Sequence, residues 1–276
     1  MANLAIVRVT RLSIYPVKSL GCVTVDSVTV TPQGLDGDRR FVLLDPDGDR
    51  VSAREVKALL GIRASFVPGG FRLTAPDGQT IDVVEPAPDA PLTTTTMSRI
   101  TQLTLADPAV GAWLSQRAGR PLRLGYQHDR TARPVAHMHG GRPGDTMQLQ
   151  DAGPILLVTE ASVRQLSDWI GPGWVDHAEA IQRFRPNIVI DGDVPFAEDN
   201  WNRIRIGDTW FRVGAACDRC VMTTIDLSKL TTTKEPIRTL EKHRAWDGNT
   251  WFGVLLLPEL QGDDVSQLTV GDPFHA

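Results

Sequence analysis

Three cysteines in a chain of 276 residues are too few, and too odd in number, for a disulfide framework. That scarcity points to a reducing compartment, and a cytoplasmic protein is the expectation. No apolar run approaches the roughly 20 residues that a bilayer-crossing helix needs. The amino terminus MANLAIVRVTRLSIYPVKS sets Arg8 and Arg11 inside what would be the apolar segment of a secretory signal, so it reads as a mature strand. Charge of one sign is also lacking: 29 Lys+Arg against 33 Asp+Glu leave a net charge of -4, which gives nucleic acid or an anionic membrane no reason to bind. Local basic residues remain free to take a small anion.

Several catalytic signatures are missing as well. There is no Walker-type phosphate loop and no G-x-G-x-x-G after a strand, and neither HExxH nor G-x-S-x-G occurs. Nucleotide-loop, zinc-peptidase and serine-hydrolase readings therefore lack their residues. Paired carboxylates are plentiful, but no pair stands out. No internal repeat is found, and low complexity is confined to the threonine runs at 93–96 and 231–233.

What is present is a pattern of short strands. VTVDSVTVT (Val23 to Thr31) alternates with period two. FVLLDPDGDRVSA predicts a hairpin around Pro46-Asp47-Gly48, and FRLTAPDGQTIDVV a second one turning at Asp77-Gly78. Between them AREVKALLGI (Ala53 to Ile62) predicts a helix with Val56, Leu59 and Leu60 on one face. The stretch from about residue 86 to 150, with PAPDAP and HMHGGRPGD, is weakly patterned and is where a domain connection is expected.

Beyond Asp151, PILLVTEASVRQLSDWI predicts a buried strand and then a helix capped by Thr159, with Glu160 in its first turn and Val163, Leu166, Trp169 and Ile170 on its apolar face. Short strands follow at NIVI, NRIRI and TWFRV, the last two joined by Gly207-Asp208. A helix near Glu235 to Arg244 and a strand over WFGVLLLPEL complete the pattern.

The candidate chemistry starts at AACDRCVMTTID. Cys217 and Cys220 lack the second pair that a structural zinc site needs. A redox dithiol wants its first cysteine at a helix start, whereas Val-Met-Thr-Thr-Ile-Asp reads as a strand. Two alternatives stay open: a single thiolate on a soft metal whose other ligands come with a cofactor, or two small buried thiols. Lys18-Ser19, Arg39-Arg40 and Arg185 each sit at a strand end, where Arg forks and Lys point charges suit a phosphate. The alternative is pairing with Asp36, Asp38 and Glu179. His137-Met138-His139 could hold a metal on a strand, but its Gly/Pro-rich flank reads as an exposed loop.

Taken together, YPVKS and GLDGDRRFVLLDPDGDRVSARE resemble the amino-terminal β-barrel that precedes a MOSC domain. DAGPILLVTEAS, RFRPNIVIDG, PFAEDNW, IGDTWFRVGAACDRCVMTTID, KEPIRTLEKHR and VGDP resemble the MOSC domain itself. The two-part arrangement is similar to the mitochondrial amidoxime reducing component and its bacterial relatives. The fold implied is mainly β with some α: an amino-terminal MOSC-associated β-barrel and connection over 1–120, and a MOSC-type β-barrel domain with peripheral helices over 121–276.

The resemblance further implies a molybdenum pyranopterin cofactor (Mo-molybdopterin) and reduction of N-hydroxylated compounds by two-electron oxygen removal. Cys220 is then the metal ligand, and Cys217 is supporting or inert. Lys18, Ser19, Arg39, Arg185 and Asn187 would hold the cofactor, with Asp218 and Arg219 beside the ligand and Asp151 near the metal. No fused ferredoxin like that of some bacterial relatives is expected after VGDPFHA, and no targeting segment like that of the mitochondrial ones is expected. Electrons are therefore expected from a separate ferredoxin, or a cytochrome with a flavin reductase. Two other uses of these residues are a molybdenum cofactor or sulfur carrier, and a small-molecule-binding module without cofactor.

Overall fold

The computed structural model describes residues 6–276; Met1–Ala5, the start of the segment read as an amino-terminal strand, lie outside the described residues. Short strands dominate, with four α-helices among the described residues: α1 (Pro108–Ala118), α2 (Glu160–Ile170), α3 (His177–Phe184) and α4 (Ile237–His243). The β-rich class read from the sequence is the one observed. Its ladders run open, as one nine-stranded sheet, one four-stranded sheet and two of three strands, and none closes into a ring of hydrogen bonds among the described residues.

The large sheet runs, from one edge, through Phe274–His275, Arg203–Ile206, Thr209–Asp218, Asn249–Pro258, Ile155–Thr159, Ile188–Ile190, Val9–Ile14 and Val23–Val25. Ala245–Trp246 folds back onto Asn249–Pro258 as the ninth strand. The amino-terminal strand thus lies beside strands from the other end of the chain: Leu12 faces Ile188 across an antiparallel ladder. Ile155–Thr159 and Ile188–Ile190 are parallel, and parallel neighbours need a crossover. Helices α2 and α3 supply it. Thr159 caps α2 by accepting from the Ser162 amide, and Asp176 caps α3 by accepting from that of Glu179.

The run Ile-Leu-Leu-Val at 155–158 is apolar at every position because both faces of its strand are covered. Side chains alternate across a strand. Ile155 and Leu157 enter a core shared with Leu12, Ile188, Ile204 and Leu256, while Leu156 and Val158 enter the layer formed with α2, α3 and α4. A separate core under Phe41, Leu43, Leu59, Leu73 and Leu124 holds the amino-terminal sheets together.

Both predicted hairpins form. At Asp77-Gly78 the turn joins Gly70–Thr74 to Thr80–Val84, and at Pro46-Asp47-Gly48 the return is held by the Asp45–Asp49 bond and a single bridge from Leu44 to Arg50. The helices capped by Thr159 and near Glu235, and the strands NIVI, NRIRI, TWFRV and WFGVLLLPEL, also lie where the pattern put them.

Three local readings differ from the structure. AREVKALLGI gives only a 3-10 turn, Lys57–Gly61, without a side-chain cap; five residues are too few to recover the cost of nucleating an α-helix. Val221–Thr224 is a 3-10 turn and not a strand, because Thr223 and Thr224 donate their hydroxyls to the Cys220 and Val221 carbonyls and close it. The weakly patterned region holds α1, whose ends carry full signals in Asp107, Pro108 and a left-handed Gly119. Its period is blurred by Gly111, where a Cβ would meet the Leu122 carbonyl oxygen at 2.9 Å.

The double-sided burial makes Leu157 a sensitive position. Leu157→Ala should lower unfolding free energy by about 2–5 kcal/mol, read as a reduced denaturant midpoint with an unchanged slope.

Candidate functional site

The nine residues that the resemblance assigned to the site line one cleft: Lys18, Ser19, Arg39, Asp151, Arg185, Asn187, Asp218, Arg219 and Cys220. Sequence separations of up to two hundred residues vanish there because four segments meet beside the sheet, whose Leu156 and Leu255 line the cleft floor. Arg40, read with Arg39 as an anion-binding candidate, is not among the lining residues: its guanidinium donates to the Gln127 carbonyl and packs on the Tyr126 ring.

The first segment follows the strand Val9–Ile14. Its Tyr15 amide donates to Asp38 Oδ1 at 2.9 Å, and the Lys18 amide donates to the Phe41 carbonyl at 2.8 Å. The second is the turn at 36–40, where the Arg39 amide returns a bond to the Tyr15 carbonyl at 2.7 Å. The third is the end of α3. Arg185 is its left-handed C-cap, and Asn187 then enters the sheet, donating from Nδ2 to the Ser13 carbonyl and accepting the Leu156 amide. The fourth is the end of the long strand Thr209–Asp218. Its pairing with Asn249–Pro258 shifts register between Val213 and Ala216 and again before Asp218, and such irregularities re-aim a strand end. Opposite them Gly253 has φ +74°, and a Cβ there would lie 2.7 Å from the Leu157 carbonyl oxygen. The strand end carries Asp218-Arg219-Cys220 over the cleft.

Three of these residues, Ser19, Arg39 and Arg185, hold φ values of 76°, 47° and 57°, a region that non-glycine residues avoid. Backbone strain of this kind persists only where the surroundings impose it, and it gathers at ligand sites.

The wall is strongly cationic. Seven lining residues are basic (Lys18, Arg39, Arg50, Arg54, Arg183, Arg185, Arg219) against two carboxylates, Asp151 and Asp218. Some of that charge is neutralised from behind. Arg39 pairs with Asp38 at 2.7 Å, and Arg183 with Glu179 and Asp226 at 2.8 and 3.4 Å. The pairings offered by the sequence are thus redistributed: Asp38 takes Arg39, Asp36 takes Arg130, and Glu179 takes Arg183. Arg185 has no carboxylate within 4.0 Å among the described residues. Burial, with Arg39 nearby, disfavours its charged form, a cost that a bound anion would relieve.

Lys18 donates from Nζ to the Leu149 carbonyl and to Asp151 Oδ1, both at 2.8 Å. Burial brings its ammonium down from 10.5 to about 8, with Asp151 pulling the other way. The cleft walls oppose ionisation of Asp151, but the Lys18 ammonium, with Arg50 behind it, holds its carboxyl well below the usual range. Asp151 keeps a solvent-open side chain, so it stands at the mouth as a fixed acceptor.

The two thiols are unlike. Cys217 is buried, and burial pushes its thiol up, only partly offset by Arg219, whose Nη1 donates to its Sγ at 3.0 Å. Cys220 is half-buried and lines the cleft, one residue ahead of the 3-10 turn. Among the described residues no three His, Cys, Asp or Glu side chains gather to hold a metal. His137 and Met138 are exposed on a 3-10 turn away from this cleft, so the strand geometry considered for His-x-His is absent.

The residues fit a polyanionic, hydrogen-bonding cofactor that brings its own metal. Buried lining atoms lack partners: Arg183 Nη1, Arg219 Nε and Gln150 Oε1. Unpaired buried donors and acceptors are costly unless a ligand meets them. Arg50, Arg54, Arg183 and Gln150 were not singled out from the sequence. Arg183 stands two residues before Arg185 in RFRPN, and Arg50 and Arg54 lie in GDRVSARE, so the segments were marked but those side chains were not.

Comparisons with known proteins agree with this layout. Residues 139–275 match the MOSC domain, and residues 6–121 match the MOSC N-terminal beta barrel domain. Mitochondrial amidoxime-reducing component 1 of Homo sapiens is 31% identical over 287 residues, covering 97% of this chain and 82% of its own. A molybdenum cofactor sulfurase of Danio rerio is 32% identical over 262 residues, covering 90% of this chain and 31% of its own. One of Oryza sativa subsp. japonica is 30% identical over 259 residues, 88% of this chain and 31% of its own. The chain therefore spans about a third of the sulfurases' length and most of the amidoxime-reducing component's.

Lys18 gives the cleft a pH signature. As pH rises through about 8 the ammonium is lost, so the affinity for inorganic sulfate, whose own charge is constant there, should fall; calorimetric titration across that window checks it. Stability moves oppositely: a lysine depressed in the folded state costs stability in full below about 8, and the cost is relieved as pH climbs towards 10.5.

Proposed function

The chain belongs to the MOSC domain family, with a MOSC N-terminal beta barrel domain before it, and from that premise we propose that it is a molybdenum pyranopterin oxidoreductase reducing N-hydroxylated compounds. The observation that carries this reading is the meeting, in one cleft, of a cationic wall with open donors and two thiols, of which Cys220 is the more exposed. When bound, the cofactor would supply two-electron chemistry at a metal with an open coordination position. The net change is R–N–OH plus two electrons and two protons giving R–N–H and water.

Cys220 would give a thiolate to the metal, a soft donor suited to a sulfur-rich centre. Cys217 stays protonated in this reading, since burial raises it, and its contact with Arg219 fixes the strand end. Arg185 and Arg54 would meet the phosphate, and Arg183 Nη1, Arg219 Nε and Gln150 Oε1 the polar ring edges. Asp151 is too strongly held in its ionised form to donate protons, which makes it an acceptor and the partner of Lys18. Lys18, with its value near 8, is the group that can hold and release a proton close to neutrality.

The division into 1–120 and 121–276, the cytoplasmic setting and a separate ferredoxin or cytochrome donor belong to the same proposal. The three unpaired thiols support a reducing compartment. A second reading, a cofactor or sulfur carrier with a persulfide on Cys220, is favoured by the sulfurase relatives.

The test is molybdenum content and oxidised-pterin fluorescence on wild type and Cys220→Ser from a cofactor-competent host. Near-stoichiometric metal in wild type, with an altered metal spectrum and activity on an amidoxime reduced more than about 100-fold in the variant, is expected. Folded wild type free of molybdenum and pterin overturns the reductase reading, and a persulfide on Cys220 without turnover moves the function to the carrier.

A further inference from the structure

Tyr15 is buried, and two guanidinium groups pack on its ring. Arg39 Cζ lies 4.2 Å from its ring centroid and Arg185 Cζ 4.3 Å. The ring itself is fixed: the amide donates to Asp38, the carbonyl accepts the Arg39 amide, and the hydroxyl donates to the Pro186 carbonyl at 3.2 Å. The two arginines are held differently. Arg39 Nη1 donates to both Asp38 oxygens and to Asn187 Oδ1, and Nη2 donates to the Arg185 carbonyl. Its charge is neutralised and its fork is largely occupied. The Arg185 side chain makes no hydrogen bond or ion pair with the described residues beyond its contact with the ring face, and it lines the cleft.

We propose that Tyr15 is a positioning residue for anion binding, its ring face holding the Arg185 guanidinium so that its N–H groups point into the cleft. Arg39, braced by Asp38, also packs on the ring and keeps Tyr15 from turning. The physical cause is the attraction between a desolvated cation and the negative face of an aromatic ring, strongest where water is excluded. Burial and the like charge of Arg39 would otherwise drive Arg185 out towards solvent. The inference rests on the reading of the cleft as a site for a phosphate-bearing ligand, and it assigns the arginines separate roles: Arg185 touches the anion and Arg39 holds the holder.

The experiment titrates inorganic phosphate into the full chain, purified from a host unable to make the pterin, for wild type, Tyr15→Phe, Tyr15→Leu, Arg185→Gln and the Tyr15→Leu/Arg185→Gln pair. Thermal melts confirm that each is folded. Tyr15→Phe keeps the ring and should bind within about 2-fold of wild type, whereas Tyr15→Leu should bind roughly 5- to 30-fold more weakly. In the Arg185→Gln background Tyr15→Leu should have little further effect, the non-additivity expected when one residue acts through the other.

An equal loss for Tyr15→Leu in both backgrounds, a loss in Tyr15→Phe as large as in Tyr15→Leu, or no phosphate binding by wild type overturns the proposal. The outcome is separable from the redox reading. Coupled phosphate binding in a protein that never acquires molybdenum keeps the clamp and sinks the reductase, and uncoupled binding in a molybdenum-loaded protein does the reverse.

Discussion

The Asp38 carboxylate is fully buried, and the rest of the cleft is built around it. It accepts from the Tyr15 amide, from Arg39 Nη1 with both oxygens, and from Gln150 Nε2 at 3.1 Å. One side chain thereby joins the loop after the first strand, the turn that carries Arg39 and the segment that carries Asp151. A buried carboxylate is tolerated only when its lone pairs are met, and removing either member of such a pair costs several kcal/mol because the other is left uncompensated. The geometry of the cationic wall therefore depends on a residue that does not itself line it.

The same logic explains how so many cations share one cleft. Arg39 and Arg183 are neutralised by carboxylates behind the wall, and Arg219 is directed by Cys217 and the Phe184 carbonyl. Buried Arg133 is satisfied by the carbonyls of Ser98, Gln148 and Gln150, and this holds the strand of backbone leading to Asp151. Among the lining cations only Arg54, Arg185 and Arg219 have no carboxylate partner within the described residues, and Arg185 is the one stacked on Tyr15. The strain at Ser19, Arg39 and Arg185 is set against these bonds, in a region tied at once to the sheet, to α3 and to the amino-terminal strands.

How much was legible in advance differs by residue. Strands with a strict period or a bounded apolar run, such as Ile155–Thr159 and Asn249–Pro258, and helices with a cap at the start, such as α2, were readable because the signal lies within a few neighbours. The helix expected over AREVKALLGI and the strand expected after Cys220 failed for the opposite reason. A helix-like spacing of apolar residues there serves one five-residue turn over the core, and two threonine hydroxyls decide the conformation of a segment whose composition favours a strand. The motif residues of the cleft were marked by resemblance; Arg50, Arg54 and Arg183 were not, since nothing local separates an arginine facing a cleft from one facing solvent.

The sequence by itself determined the β-rich class, the places of most strands and helices, the family, and a set of basic residues around one thiol worth attention. These rest on local periodicity, capping and motif identity, all of which act over a few residues. Only the tertiary structure decided which charges are spent and which are free, that both thiols line the cleft with Cys217 buried against Arg219 and Cys220 the more open, and that two guanidinium groups pack on the Tyr15 ring. Those outcomes depend on distances between segments more than a hundred residues apart, and in a medium of low dielectric a displacement of an ångström or two decides whether a cation is paired, stacked or offered to a ligand.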